Sequence, residues 1–179
     1  MRVRDHIALS TTGTALLQPW LRRGALGLWA GSVLIDVDHY LWFGLRERRW
    51  NPSRAVGFFN AAFPPQHAAT RVLHSPLAPL ALLLVSVRRR ELLPVAAGML
   101  LHIALDLGHE ASMNAARTAA LDRDAFTCQA CGRRGPDVGT HLRTQPWLLP
   151  SYGTHNLVSL CATCHEAEHA ERRWASRWS

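Results

Sequence analysis

The chain has 179 residues, and this length limits it to one domain or two small ones. It contains 20 basic residues, all of them arginine, and 13 acidic residues, which gives a formal net charge of +7 and a pI of about 10.5. This charge favours a polyanionic partner, either nucleic acid or an anionic membrane, and most of the excess lies in residues 1–120.

Apolar segments dominate the first two thirds of the chain and predict helices. They run from about Asp5 to Leu17, Leu21 to Leu45, Val72 to Val87 and Leu92 to Leu107. Proline and glycine mark the breaks between them, and residues 46–71 form a long basic and aromatic connector. The fold class expected from this pattern is mainly α, with a helical bundle in the N-terminal part.

Histidine and aspartate residues interrupt these apolar segments where a helix that only packs would carry leucine or alanine. His102 and Asp106 are four residues apart, so they lie on one face of a helix. A buried carboxylate needs a metal ion or a histidine beside it, because burying it unpaired is costly. The alternative is a buried polar network without an ion. The repeated pairing predicts one metal site, formed by His6, Asp36, Asp38, His39, His74, His102 and Asp106.

The same residues resemble a family of enzymes. The motifs similar to those of the membrane-bound metal-dependent hydrolases (YdjM-like) are Asp5-His6, Ile35-Asp36-Val37-Asp38-His39, Leu73-His74-Ser75 and Leu101-His102-Ile103-Ala104-Leu105-Asp106. More distantly, the pattern resembles the all-helical zinc-dependent phospholipase C proteins, in which a His-x-x-x-Asp helix holds metal. The match covers about residues 1–115. It implies a hydrolase of phosphoesters or related compounds, with metal ligands on several helices.

Two Cys-x-x-Cys pairs lie in the last third of the chain, Cys128 with Cys131 and Cys161 with Cys164. Two thiolates separated by two residues can hold one ion from a tight turn, and two such pairs complete a tetrahedral Zn²⁺ shell. We therefore expect a structural zinc ion. This spacing is typical of a reducing compartment and not of a secreted disulfide scaffold, and no signal peptide is evident.

The segment around the cysteines, about residues 121–171, resembles the HNH endonucleases in their zinc-stapled form. The motifs that carry this resemblance are Cys128-Gln129-Ala130-Cys131, His141-Leu142, Asn156-Leu157 and Cys161-Ala162-Thr163-Cys164-His165. It implies a β-hairpin and a helix around a catalytic Mg²⁺, Mn²⁺, Zn²⁺ or Ni²⁺ ion. It also implies that His141 is the general base, that Asn156 orients it and that His165 binds the ion. His169 lies one helical turn after His165, so both imidazoles could hold that ion.

One residue departs from the HNH pattern. The position before the general base usually carries a histidine or aspartate that binds the ion, and here it is Thr140. Because a hydroxyl is a poor ligand, the site could recruit Asp137 or His155. Two functions therefore stay open: a module that cleaves phosphodiester bonds in DNA, or a zinc module that docks nucleic acid or a partner without cleavage and is attached to a membrane-associated metal-dependent hydrolase.

The expected architecture has two parts. Residues 1–118 form a helical metal-dependent-hydrolase-like domain, and residues 119–179 form a small HNH-like ββα-metal zinc module. The apolar segments Val72–Val87 and Leu92–Leu107 have 16 residues each, fewer than the roughly 20 that a membrane span needs. We expect DNA as a partner, with a membrane surface or the inner membrane as a further one. The expected location is bacterial, cytoplasmic or inner-membrane-associated, and not secreted.

Overall fold

The structure is a computed structural model that describes residues 3–59, 71–144 and 153–175. The described chain is mainly helical with one small two-stranded sheet, which confirms the mainly α prediction. It divides into two compact units, Met1–Gly108 and His109–Ser179, which we call the helical unit and the cysteine unit. The division falls inside a helix, whereas the sequence placed the boundary at residue 118.

The helical unit contains most of the apolar segments. Its elements are α1 (Val3–Leu21), α2 (Gly24–Val33), α3 (Val37–Glu47), α4 (Pro52–Phe59), α5 (Leu77–Ser86) and the first half of α6 (Leu93–Arg123). The start of α2 lies against the start of α6, because a Cβ built on Gly24 or Gly27 would come within 3.2 Å of the Pro94 ring. These two helices form the frame on which the polar residues of the unit are placed.

The apolar segment from Leu21 to Leu45 does not form one continuous helix. Arg22 adopts a left-handed conformation with φ of 49° at the end of α1. A single 3₁₀ turn, Leu34–Asp36, then separates α2 from α3. This turn breaks the helical register at the point where the sequence changes from apolar residues to Asp36.

The segment expected to be a basic and aromatic connector contains helix α4. Asn51 precedes this helix, and its side-chain oxygen accepts a hydrogen bond of 3.0 Å from the backbone N–H of Arg54. Pro52 occupies the first helical position, where its missing N–H costs no hydrogen bond. The prediction missed this start signal, an asparagine cap followed by proline. Residues 60–70 of the expected connector lie outside the described residues.

Helix α6 is longer than the apolar segment that predicted it. It continues past Leu107 to Arg123, so the polar second half of the helix belongs to the cysteine unit. Within the described residues, one helical stretch has a length and an apolar composition that would suit a membrane crossing. It is Arg90–Arg123, which is α6 with the 3₁₀ turn before it, and 22% of its most apolar part is buried. A core helix of a soluble protein can have the same length and apolar composition.

The cysteine unit contains two antiparallel strands followed by a helix. Strand β1 (Val138–Leu142) pairs with β2 (Leu157–Cys161), with Val138 opposite Cys161 and His141 opposite Val158. Helix α7 (Ala162–Ala175) follows β2 directly. The core of the unit is small and is formed by Cys128, Val138, Leu160 and Cys161.

An arginine and an aspartate connect the end of α6 to β2. The guanidinium of Arg123 donates two hydrogen bonds of 2.8 Å to the Asp124 carboxylate, and it also donates to the backbone oxygens of Thr154 and Leu157. The hydrogen bond from Arg123 lowers the pKa of Asp124 to about 2. Asp124 in turn accepts a hydrogen bond from the backbone N–H of Ser159. These contacts fix the first cysteine pair near the second.

Candidate metal centres

The structure brings together all seven residues that the sequence assigned to a site in the helical unit. They come from α1, the 3₁₀ turn, α3, the turn before α5, and α6. Sets of three within this group have ligand atoms that all lie within 4.8 Å of one another. These overlapping sets are His6, His102 and Asp106; Asp36, His74 and His102; and Asp38, His39 and His74.

Asp36, His74 and His102 form the most regular of these sets. The Nε2 atoms of His74 and His102 are 3.1 Å apart, and they lie 3.3 and 3.6 Å from Oδ1 of Asp36. Ligands about 2.0–2.1 Å from a tetrahedral ion are separated by roughly 3.3–3.4 Å. The three atoms therefore have the spacing of one face of a tetrahedral coordination shell. We call this set the helical-unit triad.

Asp38 lies beside the triad and is buried. Its Oδ1 accepts hydrogen bonds of 2.7 Å from the backbone N–H and from Nδ1 of His39. Its Oδ2 accepts hydrogen bonds from the backbone N–H of Leu73 at 2.9 Å and from Nδ1 of His74 at 3.3 Å. The carboxylate thus connects α3 to the turn that carries His74.

His6 and Asp106 lie on the other side of His102. Nε2 of His6 is 2.9 Å from Oδ1 of Asp106, and Oδ2 of Asp106 is 3.6 Å from Nε2 of His102. The rings of His6 and His102 are stacked, with centroids 3.9 Å apart and an interplanar angle of 7°. This packing holds the buried His102 ring from one side, and Asp106 forms a ligand set with His6 and His102 that is separate from the triad.

Hydrogen bonds between carboxylates and imidazoles set the charges of this centre. Burial alone would raise the pKa values of Asp36 and Asp38, but hydrogen bonds from the neighbouring imidazoles lower both below the usual range. Burial would likewise lower the pKa of His74, yet its hydrogen bonds with Asp36 and Asp38 raise that pKa to about 9. Without an ion, the centre therefore pairs ionised carboxylates with a protonated imidazole at neutral pH. A divalent cation can replace that proton.

Glycines in α2 and α6 allow these helices to cross closely, which places His102 against the backbone of α2. A Cβ on Gly31 would lie 2.0 Å from the backbone oxygen of Val95, and a Cβ on Gly98 would lie 2.1 Å from that of Leu28. This close crossing brings His102, one turn after Gly98, to the backbone of Ser32. Nδ1 of His102 donates a hydrogen bond of 2.7 Å to the Ser32 oxygen. Sequence reasoning missed Ser32 because a backbone acceptor has no residue signature.

The four cysteines converge in the cysteine unit. Their sulfur atoms all lie within 4.8 Å of one another, and those of Cys131 and Cys161 are 3.7 Å apart. A tetrahedral zinc with bonds of about 2.3 Å to sulfur separates its ligands by roughly 3.8 Å. Gly132, with φ of 75°, closes the first turn by donating its N–H to the Cys128 oxygen. The cluster is therefore compatible with a zinc site.

Three imidazoles form a separate cluster in the same unit. His141 on β1 meets His165 and His169 on α7, with ring centroids 4.7–4.9 Å apart. Their ligand atoms lie within 4.8 Å of one another. Burial lowers the pKa of His165, and the neighbouring His169 lowers it further, so His165 is readily available as a neutral ligand. The structure thus places His141 with the two expected ligands.

The other residues assigned to this site have different positions. The Asn156 amide is bonded to Thr144: its oxygen accepts from the backbone N–H and the hydroxyl, and its nitrogen donates to the backbone oxygen, each at 2.9 Å. Thr140 follows the strand alternation and projects from the face of β1 opposite to His141. Asp137 pairs with Arg133 at 3.7 Å, and neither Asp137 nor His155 joins the three-imidazole cluster.

Comparisons with family models, with curated proteins and with solved structures gave no match to this chain.

Proposed function

We propose that the protein is a metal-dependent hydrolase whose catalytic ion is held by the helical unit. The observation that carries this proposal is the spacing of the helical-unit triad, which fits one face of a tetrahedral shell. Two imidazoles and one carboxylate supply three ligands, and catalytic sites of this kind keep the fourth position for water. Asp106 belongs to a separate set with His6 and His102, and its Oδ2 is 3.6 Å from Nε2 of His102.

Phosphoesters are the substrate class that suits this centre best. A bound divalent ion can lower the pKa of water to make a nucleophile and can stabilise the charge on a phosphoryl oxygen. The resemblance of residues 1–115 to metal-dependent hydrolases supports the same reaction. The excess of arginine in the first 120 residues favours the approach of an anionic substrate.

Hydrolysis of p-nitrophenyl phosphate and bis(p-nitrophenyl) phosphate by the full chain, loaded with Zn²⁺, Mn²⁺ or Mg²⁺, tests this proposal. We expect Asp36→Asn and His102→Gln each to lower kcat/KM by at least about 100-fold. Loss of the hydrogen-bond partner of a metal ligand typically lowers activity about 10–100-fold, and loss of the ligand itself should lower it further. His109→Gln, a change on the same helix outside the triad, is the matched control. Equal activity of the Asp36 variant and the control would contradict the proposal.

DNA cleavage by the cysteine unit is a second candidate function. It is supported by the order of two strands and a helix, by the four-cysteine cluster and by the three imidazoles that share one site. An ion there would bind to His141, His165 and His169. The unit would then be an HNH-like module with a structural zinc and a separate catalytic ion.

The position of His141 bears on whether this module cleaves. In the HNH pattern the ligand precedes the general base, so a ligand role for His141 would put Leu142 in the position of the base. A leucine cannot accept a proton from water. This arrangement favours the alternative, in which the module binds nucleic acid or a partner without cleaving it.

Nicking of supercoiled DNA distinguishes these two functions. If the module cleaves, a divalent ion should be required, and His165→Ala should lower the rate at least about 100-fold while the four-cysteine zinc stays bound. His155→Gln is the matched control, because His155 is exposed and outside the cluster. Binding of DNA without nicking by the wild type, with Mg²⁺, Mn²⁺, Zn²⁺ or Ni²⁺, would instead identify a docking module.

Exposed apolar side chains support association of the helical unit with a membrane surface. On α5 and just after it, Leu77, Leu80, Leu84 and Val87 are more than half exposed and recur at helical spacing. Three arginines, residues 88–90, follow this apolar face. An apolar face followed by basic residues suits binding to anionic lipid.

Flotation with vesicles that contain anionic lipid tests this association. We expect the protein to float with the vesicles and the double variant Leu80→Gln with Leu84→Gln to float less. Equal flotation of the wild type and the variant would contradict the association.

A further inference from the structure

We propose that Asp38 is the positioning residue that orients His74, and that the ion of the helical unit is bound by Asp36, His74 and His102. The inference rests on the metal centre of the proposed function and assigns different roles to the two neighbouring aspartates. The sequence placed both of them among the ligands. Their surroundings in the structure separate them.

The Asp38 carboxylate has no acceptor position left for an ion. An ionised carboxylate offers about four lone-pair sites on its two oxygens. Four nitrogen donors occupy them: the backbone N–H and Nδ1–H of His39, the backbone N–H of Leu73 and Nδ1–H of His74. The residue is 8% exposed, so water cannot easily replace a hydrogen bond that an ion displaces. Binding an ion here would break this network.

The Asp36 carboxylate has a different environment. Its Oδ1 faces Nε2 of both His74 and His102, and the residue is partly exposed. A single ion bound by all three residues would require the two Nε2 atoms to lie at about these distances from the Asp36 oxygen. Asp36 therefore supplies the oxygen ligand of the triad.

The two triad histidines are held in the same way. Because an ionised carboxylate can only accept, the proton at Nδ1 of His74 is fixed by Asp38, which directs Nε2 toward Asp36. The backbone oxygen of Ser32 does the same for His102. Histidines that bind metals almost always donate their second N–H to such an acceptor, and losing it typically lowers metal affinity about 10–100-fold.

His39 belongs to this hydrogen-bond network and not to the ligand set. Its Nδ1 is bonded to Asp38 at 2.7 Å, whereas it is 3.9 Å from Asp36. The set of Asp38, His39 and His74 is thus a carboxylate with its two imidazole donors. We therefore expect one ion bound by the helical-unit triad and none bound by Asp38.

Proton NMR of the Co²⁺-loaded full chain tests this assignment. A histidine bound through Nε2 gives a paramagnetically shifted, exchangeable Nδ1–H resonance, while the four cysteines give none. A background carrying His165→Gln and His169→Gln removes the other imidazole cluster. We expect His74→Gln and His102→Gln each to remove the resonance of the lost imidazole and to weaken Co²⁺ binding, and both resonances to remain at full affinity in His39→Gln.

The Asp38 variants provide the second part of the test. In Asp38→Asn we expect the ion to stay bound with affinity lowered about 10–100-fold, with faster solvent exchange of the His74 resonance and an unchanged His102 resonance. Asp38→Glu should restore part of the affinity, and Asp36→Asn should abolish binding to the triad. Circular dichroism checks the fold of each variant.

Three outcomes would overturn the inference: a resonance that disappears in His39→Gln, loss of the ion in a folded Asp38→Asn equal to that in Asp36→Asn, or unchanged exchange of the His74 resonance in Asp38→Asn. If Asp38→Asn does not fold, the His39→Gln spectrum alone decides, because it compares folded proteins. An ion bound as predicted in a protein that hydrolyses no phosphoester would refute the proposed function and leave this inference standing.

Discussion

His74 shows how a single residue connects the charges of the helical unit. It contacts Asp36 through Nε2 and Asp38 through Nδ1, both at 3.3 Å. These contacts outweigh its burial and raise its pKa to about 9. Its proton therefore stabilises the metal-free protein and competes with a metal ion for Nε2.

Metal affinity of the triad should depend on pH in a defined direction. Below pH 9 we expect the apparent affinity for Zn²⁺ to rise about tenfold per pH unit, because one proton must leave His74. The stabilisation that the proton gives to the metal-free protein is complete below the ordinary pKa of 6.5 and is lost as the pH rises through 9. Competition titrations at pH 7, 8 and 9, with the four cysteines already saturated, measure the slope. A pH-independent affinity would contradict this prediction.

At the scale of elements, the crossing of α2 and α6 decides the position of the triad. Gly31 and Gly98 allow the two backbones to approach, and Ser32 then meets His102. In the same region the hydroxyls of Ser10 and Ser32 are 2.7 Å apart and fully buried. Small residues here thus serve a positioning role as well as a packing role.

Gly98→Ala should damage the centre through this crossing. The added Cβ would lie 2.1 Å from the Leu28 oxygen, so the helices must separate. We expect a loss of about 1–3 kcal/mol in the free energy of unfolding, together with weaker metal binding. Gly108→Ala on the same helix is the matched control: its Cβ would meet nothing within 4 Å, and the change should stabilise by roughly 0.5–1 kcal/mol. Similar effects of the two substitutions in denaturant titrations would rule out this account.

At the scale of the whole molecule, both units contain candidate metal sites, but their cores differ in size. The helical unit has several packed helices, whereas the hydrophobic cluster in the described part of the cysteine unit has four buried members, two of which are cysteines. A core this small needs a metal ion to stabilise it. The two units should therefore respond differently to loss of zinc.

Cys131→Ser tests the dependence of the cysteine unit on zinc. Cys131 is exposed, so the substitution removes a ligand with little change in core packing, unlike a change of the buried Cys161. We expect about one zinc per chain to be lost and the unit to melt at a much lower temperature, because binding energy is folding energy in such modules. Zinc content and thermal melting are the measurements. Unchanged values of both would exclude a four-cysteine zinc.

Much of this organisation could be predicted from local sequence. Apolar periodicity predicted a mainly helical fold, and the two Cys-x-x-Cys pairs predicted four sulfur atoms in one place. Helix α4 was missed because its start depends on one cap residue and one proline within the basic and aromatic connector. The division of the segment around Asp36 was missed because a run of apolar residues does not show where its register breaks.

The residue types of the candidate sites were determined by the sequence alone, since histidine, aspartate and cysteine keep their coordination chemistry in any fold. Their roles were decided only by the tertiary structure. Asp36 and Asp38 are two residues apart and chemically identical, yet one faces two ring nitrogens and the other is surrounded by four donors. His141 likewise lies with His165 and His169 because β1 and α7 meet. Such distinctions depend on long-range contacts, which place each oxygen and nitrogen among partners that are distant in the chain.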